Sequence, residues 1–180
     1  MCFIDSESFL LILYNEKEPE TRQINMIMKI SERLENAVNK LYVAFHNNLL
    51  NPECCKHCAV GNICGNTDSW KHLTDTHGSV VLNYVGRVHE GLGRNFYGYS
   101  PMELLQIEAT FLRGCGYTLP LNQYTKKPSN PTSKETLFKG LCAVVEYLCR
   151  LDGVNNVMDY SKLFEYENKA EYKDTVLSTP

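Results

Sequence analysis

Apolar residues recur at three- and four-residue spacing along several stretches of the chain, with polar residues filling the intervening positions. From Ser31, the positions Leu34, Val38, Leu41, Tyr42, Phe45 and Leu49 share one helical face, while Glu32, Arg33, Glu35, Asn39 and Lys40 take the other. This predicts an amphipathic helix that ends near Asn47-Asn48. Asn51-Pro52-Glu53 reads as a second helix start: Asn caps, Pro takes the first turn, and Glu suits the positive end of the dipole. That helix, over 52–60, carries Cys54, Cys55 and Cys58 and stops near Gly61. A short third helix runs from Thr67 or Asp68 to Asp75, with Trp70 and Leu73 inward, and ends before Gly78. Ser79 then caps a segment in which Val81, Tyr84, Val85, Val88 and Leu92 recur at helical spacing. Val80, Leu82 and Tyr84 also alternate as in a strand, but the longer period predicts a helix. Gly91, Gly93 and Gly98 break the chain into a turn.

Ser100-Pro101-Met102-Glu103 is a capping box with Pro at the first helical position. It opens a helix through Leu104, Leu105, Ile107, Phe111 and Leu112 that closes at Gly114-Cys115-Gly116. Residues 117–135 form a loop rich in Pro, Ser, Thr and Lys. A further helix spans about Lys134 to Leu151 on Leu137, Phe138, Leu141, Val145 and Leu148, and Asp152-Gly153 closes it. Asn156 caps a last helix through Tyr160, Leu163 and Phe164. There is no internal repeat and no low-complexity tract. Short helices with brief connectors predict an all-α fold, a single-domain bundle of about five to seven helices.

Residues 1–29 read as an N-terminal extension, 30–165 as the helical domain, and 166–180 as a frayed charged tail. Met26 and Met28 stand just before the first strong helical pattern and are alternative translation starts; otherwise the upstream segment packs on the domain. The apolar run Phe9-Leu10-Leu11-Ile12-Leu13-Tyr14 is far shorter than the roughly 20 residues that span a bilayer. It lacks a basic lead-in and a small-residue cleavage site, so a cytoplasmic protein is expected. Charge changes the picture little: 18 basic residues stand against 21 acidic ones, which supplies no basic field for nucleic acid or an anionic membrane. A protein partner stays open.

Eight cysteines change it more. In a reducing compartment, clustered cysteines read as metal ligands, redox thiols or core residues. On a helix, Cys58 shares a face with Cys55 three positions away and with Cys54 four positions away. Thiolates in a first turn are stabilised by free N–H groups, and thiolates are what zinc and iron–sulfur clusters bind. A full site needs about four ligands. Cys64 beyond the Gly61 turn and Cys115 between two glycines complete a candidate set of Cys55, Cys58, Cys64 and Cys115, with Cys54 an alternative to any of the first three. His57, His72 and His77 are near in sequence and could replace a sulfur, which zinc tolerates better than a cluster does. The competing readings are reactive thiols without metal, and inert buried cysteines.

Glu108 falls on an apolar face among Leu104, Leu105, Phe111, Leu112 and Cys115. A carboxylate there either has a raised pKa or ligates a metal, or it meets a partner Lys, Arg or Tyr or reaches water at the edge of the face. Cys142 and Cys149, on the helix with the strongest apolar stripe, are expected in the core. His77 before Gly78 suits a helix cap, and His46 and His89 sit on helix borders. Tyr84, Phe96, Tyr97 and Tyr99 fit core and corner positions better than a stacking surface for a base or flavin. The glycines at 91, 93 and 98 make no dinucleotide fingerprint, and no nucleotide or flavin motif, P-loop, nucleophile elbow or two-His zinc-protease motif occurs.

Four blocks carry a resemblance: Asn51-Pro52-Glu53-Cys54-Cys55-Lys56-His57-Cys58-Ala59-Val60-Gly61-Asn62, Asp68-Ser69-Trp70-Lys71-His72-Leu73, Ser100 to Tyr117, and Leu137 to Gly153. Over roughly residues 30–165 the chain resembles a small family of uncharacterised bacterial proteins. Some of its members carry the label of the NADH-binding component of the sodium-translocating NADH:quinone reductase. That component has a membrane anchor, a ferredoxin-like domain with a two-iron cluster, and a flavin- and NADH-binding module. None of those motifs is present here and the cysteine spacing differs, so the resemblance implies a folded domain and assigns no residue a role. The sequence thus leads to a metal- or iron–sulfur-binding helical protein with a redox or sensing use. Its alternatives are a non-catalytic interaction or scaffold domain, and a thiol redox protein using Cys55 and Cys58.

Overall fold

A computed structural model describes residues 30–154. The expected extension at 1–29, the last helix from Asn156 and the tail at 166–180 lie outside the described residues. Five α-helices and one 3-10 helix follow in order: α1 (Glu32–His46), α2 (Ala59–Ile63), the 3-10 helix (Ser69–Leu73), α3 (Tyr84–Gly91), α4 (Pro101–Gly114) and α5 (Lys134–Leu151). The described residues contain no strand beyond an isolated bridge between Phe96 and Tyr99. The protein is all-α. No helix among them is long and apolar enough to cross a membrane.

The long helices begin where side chains satisfy their free N–H groups. Ser31 accepts from the Leu34 N–H, Ser133 accepts from the Thr136 N–H, and Ser100 and Glu103 form the reciprocal capping box. The centre of the fold is the α4–α5 pair, which makes the most extensive helix–helix contact. Two glycines allow its close approach. A Cβ on Gly140 would lie 2.4 Å from the Cys115 sulfur, and one on Gly114 would lie 2.9 Å from the Gly140 Cα. Leu104, Ile107, Phe111 and Leu112 of α4 bury against Leu141, Val144 and Leu148 of α5, and α1 covers them with Leu34, Leu41 and Phe45.

Three local expectations change. First, residues 52–60 are not one helix; turns occupy 52–58 and the helix begins at Ala59, with Cys58 as its N-cap. The Asn51 side chain accepts from the Glu53 N–H at 2.9 Å, and the Asn51 N–H donates to the His57 carbonyl at 2.8 Å, which closes the segment on itself before a helix can propagate. Gly61 therefore lies inside α2 and does not end the preceding segment. A Cβ there would lie 2.4 Å from the Cys55 and Lys56 carbonyl oxygens, so only glycine lets the turn rest on the helix.

Second, α3 starts after Asn83, not Ser79, whose hydroxyl is bound to the Val81 backbone. Its apolar stripe faces outward: Val81, Tyr84 and Leu92 are 64%, 73% and 64% exposed, and Val85 and Val88 are also exposed. The helix instead presents Gly86 to the core, where a Cβ would lie 2.4 Å from the Leu73 carbonyl oxygen. That backbone contact sets the rotation of the helix. Third, Tyr42 and Leu49 are exposed, and the buried positions beside them are Ala44 and Leu50. Cys149 is in the core as expected, while Cys142 is half-buried.

Candidate metal centre

Three elements converge on the buried side of α2. Cys58 is the N-cap of α2, Glu108 lies on the inner face of α4, and His77 sits in the connection after the 3-10 helix. One ligand atom from each lies within 4.8 Å of the other two, and the group could hold a metal ion.

Each side chain is fixed by its surroundings. Glu108 is 1% exposed, because its helical position belongs to the apolar stripe that packs inward. A buried carboxylate needs compensating partners. Glu108 has the His77 Nε2 2.9 Å from its Oε1, and the Val60 N–H donates to its Oε2 at 3.4 Å. His77 precedes Gly78, whose φ of +72° and close contact with Leu121 turn the chain at that point. The Trp70 ring meets the His77 ring edge-on at 6.1 Å.

The Cys58 sulfur accepts the Gly61 N–H at 3.4 Å, and its S–H donates to the Cys55 carbonyl at 3.4 Å. The turn that carries it is pinned from two sides. Asn62 Nδ2 donates to the carbonyls of His57 and Cys58 at 2.8 and 2.9 Å, and Trp70 Nε1 donates to the Cys55 carbonyl at 3.0 Å. Complete burial raises the Cys58 thiol well above its ordinary range, and the Glu108 carboxylate adds to that effect. Burial also raises Cys55, which the nearby Lys71 partly opposes.

Of the five cysteines that the sequence suggests as ligands, the structure brings Cys58 into this group. Cys54, Cys55, Cys64 and Cys115 stand outside it. The Cys54 sulfur is 3.5 Å from His57 Nδ1. Cys55 is half-buried in the same turn. Cys64 caps the far end of α2, where Lys40 donates to the neighbouring Ile63 carbonyl at 2.6 Å. Cys115 ends α4, with its sulfur against Gly140 of α5. Burial pushes the thiols of Cys64 and Cys115 up to about 12. Among the candidate histidines, His57 faces Cys54 and His72 meets the Ser69 carbonyl, so His77 is the one that reaches the site.

His77 caps no helix; its partner is Glu108, and that pair is what the sequence could not reveal. The legible signal was a carboxylate on an apolar stripe. No protein-family model matches this chain, and neither a curated protein nor a solved structure does.

Proposed function

We propose that this is a zinc-binding protein whose metal is held by Cys58, His77 and Glu108. The observation that carries this is the convergence within 4.8 Å of a sulfur, an imidazole nitrogen and a carboxylate oxygen from separate elements. A thiolate, an imidazole and a carboxylate form a mixed donor set of the kind zinc takes, whereas iron–sulfur clusters favour about four cysteines. The ion would offset the buried Glu108 charge and tie α2, the 70–78 segment and α4 together, so its use is to couple local structure to metal supply, as in a sensing or metal-stabilised domain.

Elemental analysis of protein purified without a metal-binding tag tests this. The expected result is near-stoichiometric zinc that is lost in Glu108→Gln; well-folded protein with no metal would overturn it.

A second use of the same residues is favoured by the 2.9 Å contact between His77 and Glu108, which already pairs them. The chain is then a non-catalytic interaction domain with ordinary buried cysteines, and its melting is indifferent to chelators. Thiol redox chemistry at Cys55 and Cys58 is less favoured, because burial raises both thiols and so keeps them un-ionised.

A further inference from the structure

Three protein ligands leave a tetrahedral zinc ion one position short. We propose that Cys55 is the fourth ligand, which closes the site and makes it a structural one. This rests on the zinc assignment above.

The other cysteines near the site are committed elsewhere. Cys54 faces His57, Cys64 lies at the opposite end of α2, and the Cys115 sulfur fills the space over Gly140. Cys55 belongs to the same turn as Cys58, three residues ahead of it, a spacing that recurs in structural zinc sites. Its main chain is anchored beside Cys58 by the Trp70 indole N–H, which donates to its carbonyl oxygen. Its side chain packs half-buried against the core. With the backbone held, one side-chain torsion decides where the sulfur lies, and staggered rotamers provide alternative positions.

Charge supports the closed set. Zinc with two thiolates, one carboxylate and a neutral imidazole carries one net negative charge. Lys71, exposed on the 3-10 helix, lies near enough to Cys55 to favour its thiolate.

The test is titration of the metal-free full-length chain with cobalt(II), followed by visible and near-ultraviolet absorption, and X-ray absorption of the zinc-loaded wild type. Two thiolates give a thiolate-to-cobalt band about twice that of one, and Cys55→Ser should reduce it to about half while weakening binding at least about tenfold. The zinc spectrum should show two sulfur and two nitrogen or oxygen neighbours. If the wild type binds cobalt but shows one sulfur, or if Cys55→Ser matches the wild type in band and affinity, the fourth-ligand assignment is overturned and the zinc assignment survives. If the wild type takes up neither ion, both fall. Should Cys55→Ser lose its helical circular dichroism, the sulfur count in the wild type decides alone.

Discussion

Glu108→Gln, compared with the wild type in the presence and absence of a chelator, separates a metal site from a plain buried pair. The substitution keeps the shape of the side chain and removes its charge, at a carboxylate that is 1% exposed and 2.9 Å from His77. If zinc binds the native state and is present at about 100 times its dissociation constant, it stabilises the fold by about 2.7 kcal/mol. For a domain of this size that corresponds to a melting temperature higher by roughly 10 °C. Chelation should therefore lower the wild-type midpoint by about that amount and leave Glu108→Gln unchanged, because the variant has no metal to lose. If His77 and Glu108 are only a hydrogen-bonded pair, the chelator shifts neither protein, and the substitution alone costs about 1–3 kcal/mol, because the amide keeps at most part of the bonding to the half-buried His77 and the Val60 N–H. Thermal unfolding followed by circular dichroism, with both proteins at equal concentration, gives the four midpoints of this cycle. A wild-type midpoint that moves by less than about 1 °C on chelation, in protein shown to have contained zinc, would refute the link between metal and fold.

Other substitutions follow from close contacts. Gly61→Ala places a methyl 2.4 Å from the Cys55 and Lys56 carbonyl oxygens, so it should displace the ligand turn and reduce zinc content, as elemental analysis would show. Gly140→Ala drives a methyl into the Cys115 sulfur and the Phe111 ring and should cost about 1–3 kcal/mol in urea unfolding without changing metal content. Burial pushes the folded-state thiols of Cys64 and Cys115 from an ordinary 9.0 up to about 12. The folded state holds protons that the unfolded chain releases above pH about 9, so this contribution to stability is full below that pH and is lost as the pH rises through about 12. Urea midpoints that fall between pH about 8 and about 10.5 would agree, and a flat profile would not. The same burial makes both thiols slow to react with a disulfide reagent at pH about 8 until the protein unfolds.

Much of the fold was legible because local physical signals and tertiary packing agree there. The serines at 31, 100 and 133 cap helices whose apolar stripes run the full length of each element, and α1, α4 and α5 form where those patterns place them. Glu108 was already conspicuous as a carboxylate on an inward face. The local pattern misleads where a main-chain contact outside the helical register overrides it. Asn51-Pro52-Glu53 has the residues of a helix start, yet the bond from Asn51 to His57 and the seat of the turn on Gly61 make it a loop. The stripe on α3 has a helical period, but periodicity reports that a face exists and not which way it points. The approach of Gly86 to the Leu73 carbonyl turns that face to solvent.

The candidate site divides in the same way. Residue chemistry alone offered Cys58 as one of five candidate cysteine ligands, raised Glu108 as a carboxylate that could ligate or simply meet a partner, and admitted His77 as a substitute for a sulfur. Which of the cysteines and histidines converge was decided only when α2, the turn at Gly78 and α4 packed together. Sequence spacing measures separation along the chain, whereas a ligand set depends on distances across it, and those are set by the burial of side chains far from the site.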